Sequence, residues 1–191
     1  MKPVNKEVVL DISDLLPNGE GVAEINARRV QVRNALPGEV VSARILKKKK
    51  GIKYADAIEV VRSSQDRTDI ACKSYPRCGG CSMLHMLPSK EVELKLKKLN
   101  MDLKNRDIVF EETLDPVVNN FLHYRRKARL GVKCLGDTVL VGFRESFSSR
   151  VARIEACKIL THGLSALIPH LKETISQCSI KQFIPQIELA E

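Results

Sequence analysis

Three cysteines fall within ten residues: Cys72-Lys73-Ser74-Tyr75-Pro76-Arg77-Cys78-Gly79-Gly80-Cys81. The spacing is C-x5-C-x2-C, and it constrains the chain more than any other feature. Two thiols three residues apart can grip one metal centre from a tight turn. Gly79 and Gly80 between them are expected to admit positive φ and to offer N–H groups to the sulfurs. Zinc sites and iron–sulfur cubanes both usually take four ligands, so a fourth thiol must come from elsewhere. Cys134, Cys157 and Cys178 are the candidates. Cys134 lies on the apolar phase of a strand pattern and Cys178 follows the apolar side of a helix, where each reads as a small buried hydrophobe. Cys157, in Ile154-Glu155-Ala156-Cys157 just after a strand, is the preferred fourth ligand. Structural zinc sites usually present two short knuckles. One knuckle, one cysteine six positions earlier and one distant cysteine favour an iron–sulfur cluster, with zinc as the rival.

The rest of the composition narrows the setting. The chain has 191 residues, 43% of them hydrophobic, enough for one medium domain or two small ones. It carries 32 Lys and Arg against 23 Asp and Glu, net +9, which points to a polyanionic partner and to nucleic acid first. No apolar run approaches the roughly 18 residues a membrane span needs. The start, Met1 to Lys6, lacks the apolar core of a signal peptide. A cytoplasmic location follows, and with it reduced rather than paired cysteines. Aromatic content is 4% with no Trp, so long rows of stacked bases are not the expected mode of recognition.

Residues 1–62 read as an all-β unit. Val8 to Ile12 is a strand, stopped by Pro17-Asn18-Gly19; Arg29 to Arg33 alternates with Val30 and Val32 on one face. Val41 to Ile45 begins another strand, Lys47 to Gly51 form a basic hairpin tip, and Tyr54 to Val61 return. Short strands at this spacing predict a small closed barrel. Arg62 to Thr68 reads as a polar linker. After the cysteines, Pro88-Ser89 starts a helix with Ser89 at its N-cap and Val92, Leu96, Leu99 and Leu103 as an apolar stripe. Residues 123–155 return to strands, with Arg125, Lys127, Arg129 and Lys133 on one phase and Ala128, Leu130, Val132 and Cys134 on the other. Gly136-Asp137 is a hairpin turn, and Val139, Val141 and Phe143 alternate on the return. A last helix covers Thr161 to about Gln177, with Leu164, Leu167, Ile168, Leu171 and Ile175 on one side and Pro169 as a kink or a later start. Ile187 to Glu191 is a strand. The fold class is α+β, with domains at 1–62, a linker and cysteine loop at 63–88, and an incomplete α+β domain at 89–191.

Two cationic sets are candidate RNA contacts. Lys47, Lys48, Lys49, Lys50 and Lys53 form the densest run; a solvated tip is the plain reading and phosphate contact the functional one. Arg125, Lys127 and Arg129 crowd one strand face, which a phosphate backbone or neighbouring acids would neutralise. Phe143 shares the phase of Val139 and Val141 and reads as core. His85 and His123 have no partner pattern.

These segments together resemble a known family. Val30-Gln31-Val32-Arg33-Asn34-Ala35-Leu36-Pro37-Gly38-Glu39-Val40-Val41 with the Lys-rich tip resembles a TRAM domain, a five-stranded OB-like RNA-binding barrel. Cys72, Cys78, Cys81 and Cys157 resemble the iron–sulfur site of bacterial 23S rRNA (uracil-5-)-methyltransferases of the uracil-1939 class. Tyr124 to Arg129, Gly142-Phe143-Arg144 and Ile154 to Cys157 resemble that family's central domain. The resemblance implies a [4Fe-4S] cluster, a 23S rRNA partner and a monomer. It also implies methylation of uracil C5 from S-adenosylmethionine after attack of a cysteine thiolate on C6. That chemistry belongs to a C-terminal domain whose glycine-rich site, nucleophile and base are not recognisable here, so the chain alone is expected to be inactive. Two other readings compete: a stand-alone RNA-binding module stapled by zinc or a cluster, and a radical S-adenosylmethionine methylthiotransferase. The second calls for C-x3-C-x2-C and a C-terminal TRAM domain, and both disagree with this sequence.

Overall fold

The computed structural model describes residues 6–191, so the reading of Met1 to Asn5 lies outside the described residues. The chain forms two compact units. Unit 1 comprises residues 1–69 and 82–116; unit 2 comprises residues 70–81 and 117–191.

Unit 1 is built on a six-stranded sheet. Its strands are β1 (Glu7–Asp11), β2 (Asp14–Leu15), β3 (Gly21–Ile25), β4 (Arg28–Arg33), β5 (Val40–Lys49) and β6 (Ile52–Arg62), in the order β1-β5-β6-β4-β3-β2. All neighbours are antiparallel except β4 and β6, which run parallel. The expected closed five-stranded barrel is corrected here: among the described residues there are six strands, and no ladder joins β1 to β2. Edge pairing is replaced by chain continuity. One segment, Glu7 to Leu15, pairs with β5 through its first half and with β3 through its second. Both ends of the sheet therefore belong to one stretch of backbone, bent at Ile12 and Ser13. Register shifts along β5 and β6 coil the long hairpin. The alternation read from sequence buries Val30 and Val32, joined by Leu10, Val41, Ile45 and Ala55 in one apolar core.

The stretch after β6 is held inside unit 1. Arg67 bridges Met86, Thr68 N–H donates to His85 O (3.1 Å), and Leu87 N–H donates to Asp66 O (2.9 Å). Beneath it lies Glu39, 0% exposed, which takes Arg67 Nε and Nη2 at 2.6 and 2.8 Å and Leu36 N–H at 2.9 Å. Helix α1 spans Pro88–Lys104. Its N-cap is Leu87, not Ser89, because Pro88 takes the first helical position where its fixed φ and missing N–H cost nothing. No residue of α1 is buried, and Leu99 of the apolar stripe is exposed.

In unit 2 a three-stranded antiparallel sheet, order β8-β7-β9, combines β7 (Lys127–Leu135), β8 (Thr138–Gly142) and β9 (Gln186–Ala190). Gly136 turns the hairpin at φ +60. Helix α2 (His162–Gln177) runs through Pro169 and buries Leu164, Ile168 and Ile175. Its N-cap is Thr161, whose hydroxyl accepts from Leu164 N–H. Among the described residues no helix is long and apolar enough to cross a membrane.

Candidate functional site

The cysteine loop owes its shape to short-range hydrogen bonds. Tyr75 N–H donates to Cys72 O (3.2 Å) and Cys78 N–H to Ser74 O (2.8 Å), curling the chain so that Cys72 and Cys78 share one turn. The two glycines act differently from the expectation, since neither takes positive φ. Their role is close approach: a Cβ on Gly79 would sit 2.7 Å from Arg144 O, and one on Gly80 2.9 Å from the Phe143 ring. Gly79 N–H donates to Arg144 O (2.9 Å), and Cys78 bridges Glu145.

Cys157 reaches the same place from a loop, since residues 154–156 form no strand. Helix α2 fixes it: Cys157 N–H donates to Ser165 Oγ (2.9 Å), while Lys172 Nζ donates to Ile154 O (2.5 Å) and pairs with Glu155 (2.8 Å). Residue 157 is buried, and Cys72, Cys78 and Cys81 are half-buried. Burial first, then the charges of Cys157, Cys78 and Cys72, push the Cys81 thiol up to about 12, with Arg125 opposing. Cys78 is likewise raised, by burial and by Cys157 and Cys72. Cys81 and Cys78 thus each lie within electrostatic reach of the other two thiols, Cys72 and Cys157. Cys134 and Cys178 go elsewhere, their thiols facing Lys181 O and Thr174 O at 3.4 Å. As they stand, no three His, Cys, Asp or Glu side chains among the described residues are arranged to hold a metal ion. The donor set itself, all sulfur, half-buried to buried, with repulsion raising Cys78 and Cys81, is one that a cationic metal centre stabilises as thiolates.

The two cationic sets sit in different surroundings. In unit 1, Lys47 to Lys49 end β5, Lys50 and Gly51 turn the hairpin at φ +47 and +82, and Lys53 faces Lys48 across the ladder. Lys47 Nζ lies 5.0 Å from the Tyr54 ring. Among the described residues no ion pair engages Lys48, Lys49, Lys50 or Lys53. In unit 2, Glu188 of β9 pairs with Arg129 and with Lys127 (3.9 Å), and both cations hold its carboxyl below the usual range. Arg125 is half-buried, its guanidinium 5.1 Å from the centre of the Phe143 ring. Phe143 itself is core, as its phase indicates. His123, which no sequence pattern assigns, stacks on His162 with ring centres 3.8 Å apart.

The chain is similar to known proteins. Residues 2–58 match the TRAM domain. A 23S rRNA (uracil(1939)-C(5))-methyltransferase of Acinetobacter baumannii (strain AB0057) is 33% identical over 204 residues, covering 100% of this chain and 44% of that protein. The enzyme of the same name from Thiobacillus denitrificans is 37% identical over 185 residues, covering 95% of this chain and 43% of its own length. Along nearly all of its length the chain is similar to these enzymes. It spans less than half the length of these relatives. A crystal structure of Pyrococcus abyssi tRNA (uracil-54, C5)-methyltransferase in complex with S-adenosyl-L-homocysteine superposes with a TM-score of 0.63 at 25% identity. That likeness covers 88% of this chain and 37% of the other. The α+β class and the TRAM unit read from sequence therefore stand, with the sheet topology corrected as above.

Proposed function

We propose that this chain is the RNA-recognition part of an S-adenosylmethionine-dependent methyltransferase acting on a uracil C5 of 23S rRNA, in the cytoplasm and as a monomer. The observation that carries the RNA role is the β5–β6 tip, where four lysines project without carboxylate partners among the described residues. Phosphates are the polyanion such a tip fits, and they fix position without reading sequence. Lys127 and Arg129 join them once RNA competes with Glu188, and Arg125 contributes from beside Phe143. Methyl transfer needs a nucleophilic thiol, a base and a cofactor pocket, and none of these roles is assigned to a residue of this chain.

The same reading gives Cys72, Cys78, Cys81 and Cys157 to a [4Fe-4S] cluster that fastens the cysteine loop to the α2 side of unit 2. Its contribution is structural, holding deprotonated thiols that burial otherwise disfavours.

Changing Lys48, Lys49 and Lys50 together to Gln tests the RNA role. Binding to a 23S rRNA fragment is expected to weaken, and the slope of log K against log salt to fall by about 2, near 0.7 for each single-strand phosphate that is no longer neutralised. An unchanged slope rejects the tip as the docking element.

A further inference from the structure

Unit 1 has an open seam where β1 and β3 part. Ser13 N–H donates to Val22 O (2.8 Å), and the Ser13 hydroxyl donates to the same oxygen (3.2 Å). From that vertex β1 and β3 diverge, and among the described residues no ladder joins them. Between them lies a groove of about 580 Å³, walled by Val9 to Asp11 on one side and Glu24 to Asn26 on the other.

Hydrogen-bond direction along each strand shows what the groove presents. Ile12 N–H donates to Glu39 O (2.9 Å), Ile12 O accepts from Gly38 N–H (2.9 Å), and Lys6 O accepts from Ile45 N–H (3.0 Å). The even-numbered residues of this stretch therefore face β5, and Val9 and Asp11 turn their N–H and C=O groups towards the groove. On β3, Val22 O points away from β4 towards Ser13, so Glu24, two residues on, points the same way. Among the described residues no backbone hydrogen bond engages Val9, Asp11 or Glu24 on that side. The groove is thus bounded by two strand edges, each a template for a further strand. Leu10 is core and Ile25 packs against the same core, so these two floor it. Val9, Asp11 and Glu24 are exposed at its rim.

Charge selects the occupant. In a chain of net +9, the groove is lined by two carboxylates and no cation. Asp11 has an exposed partner, Arg62, at 3.5 Å, and among the described residues no ion pair engages Glu24. Phosphates are repelled here, so the seam does not suit RNA. A second copy would bring the same acids and set like charges opposite one another. A strand lying between both edges needs apolar side chains inward, over Leu10 and Ile25, and cations outward, beside Asp11 and Glu24.

We propose that the β1–β3 seam takes up an extended segment of a partner protein in which small apolar residues alternate with Lys or Arg. The segment joins the sheet by strand addition, with backbone bonds to Val9, Asp11 and Glu24. This interaction goes beyond the RNA reading and does not depend on it.

The probe is an end-blocked peptide, Val-Lys-Val-Lys-Val-Lys, added to the whole chain and followed by amide exchange in NMR spectra. Binding is expected to protect the Val9, Asp11 and Glu24 amides. A peptide of the same composition in blocks, Val-Val-Val-Lys-Lys-Lys, keeps the charge without the alternation and should leave them unprotected. Asp11→Lys with Glu24→Lys should weaken the alternating peptide about 10-fold, since two cross-strand attractions become repulsions. Val9→Pro removes an N–H that β5 does not use, so β1 should stay paired while peptide binding falls. Should the proline variant fail to fold, the charge reversal at the two exposed acids decides. No binding of the alternating peptide, equal protection by the block peptide, or protection only elsewhere would overturn the proposal. So would protection of the same amides by an RNA oligonucleotide, or by concentrating the chain alone.

Discussion

Glu39→Ala is expected to destabilise unit 1 by about 3–5 kcal/mol, the cost of leaving one member of a buried ion pair behind. The carboxylate is wholly buried and takes four hydrogen bonds: two from Arg67, one from Leu36 N–H and one from Ser64 N–H. Removing it strands a guanidinium whose side chain is 14% exposed and which also donates to Asn34 O, at 2.9 Å. It also releases two backbone N–H groups. Changing Glu39 and Arg67 together to Met should cost less than Glu39→Ala alone, because no charge is then left uncompensated. Urea unfolding with an unchanged m-value measures both. The pair also makes unit 1 acid-sensitive. Burial raises the Glu39 pKa, but the Arg67 contacts and the two N–H groups outweigh it, so the folded value lies below 4.5. Its contribution is therefore present above that value and lost as pH falls through the folded one. His85, buried beside Arg67 and Glu39, is pushed down to about 4 by burial and by Arg67. The unfolded chain takes up that proton near 6.5, so stability should already fall between about pH 6.5 and 4. His85→Gln should flatten that interval and leave the lower one.

Gly142→Ala is expected to cost unit 2 about 3 kcal/mol or more, at the upper end for an added methyl in a packed interior. Its Cβ would lie 2.3 Å from Ala152 O and 3.1 Å from Ile154 Cγ1. The first atom is backbone and cannot rotate away, and Ala152 is itself fixed by donating its N–H to Phe143 O (2.9 Å). Relief therefore requires the 142–152 hairpin to open. Gly136→Ala is the control: its Cβ would meet nothing within 4 Å, leaving only the strain of φ +60. Thermal unfolding of the two variants separates a steric clash from backbone strain.

These two sites also mark where the sequence can and cannot be read. Period-two alternation locates Val30, Val32, Ala128, Leu130, Val139 and Val141 in the two cores, because a pleated strand with one wet face leaves that pattern. The trio Cys72, Cys78 and Cys81 stands out through its local spacing, whereas the link from Cys157 to Cys78 and Cys81 is a matter of tertiary placement. What escapes depends on distant partners. Glu39 and Arg67 meet across 28 residues, and nothing local distinguishes a buried carboxylate from a solvated one. Gly79 and Gly80 suggest positive φ, but their constraint comes from Arg144 and Phe143. Strand β2 is only two residues long, too short for any periodicity.

The proposal that the four cysteines hold a cluster is tested directly by anaerobic purification of the chain followed by iron, sulfide and zinc analysis. The expected result is a brown protein with a broad visible absorbance and about four irons and four sulfides per chain, the composition of one cubane. Cys157→Ser should lose most of both. A colourless protein with one zinc per chain, or one whose iron survives the loss of Cys157, would contradict a cluster held by these four thiols.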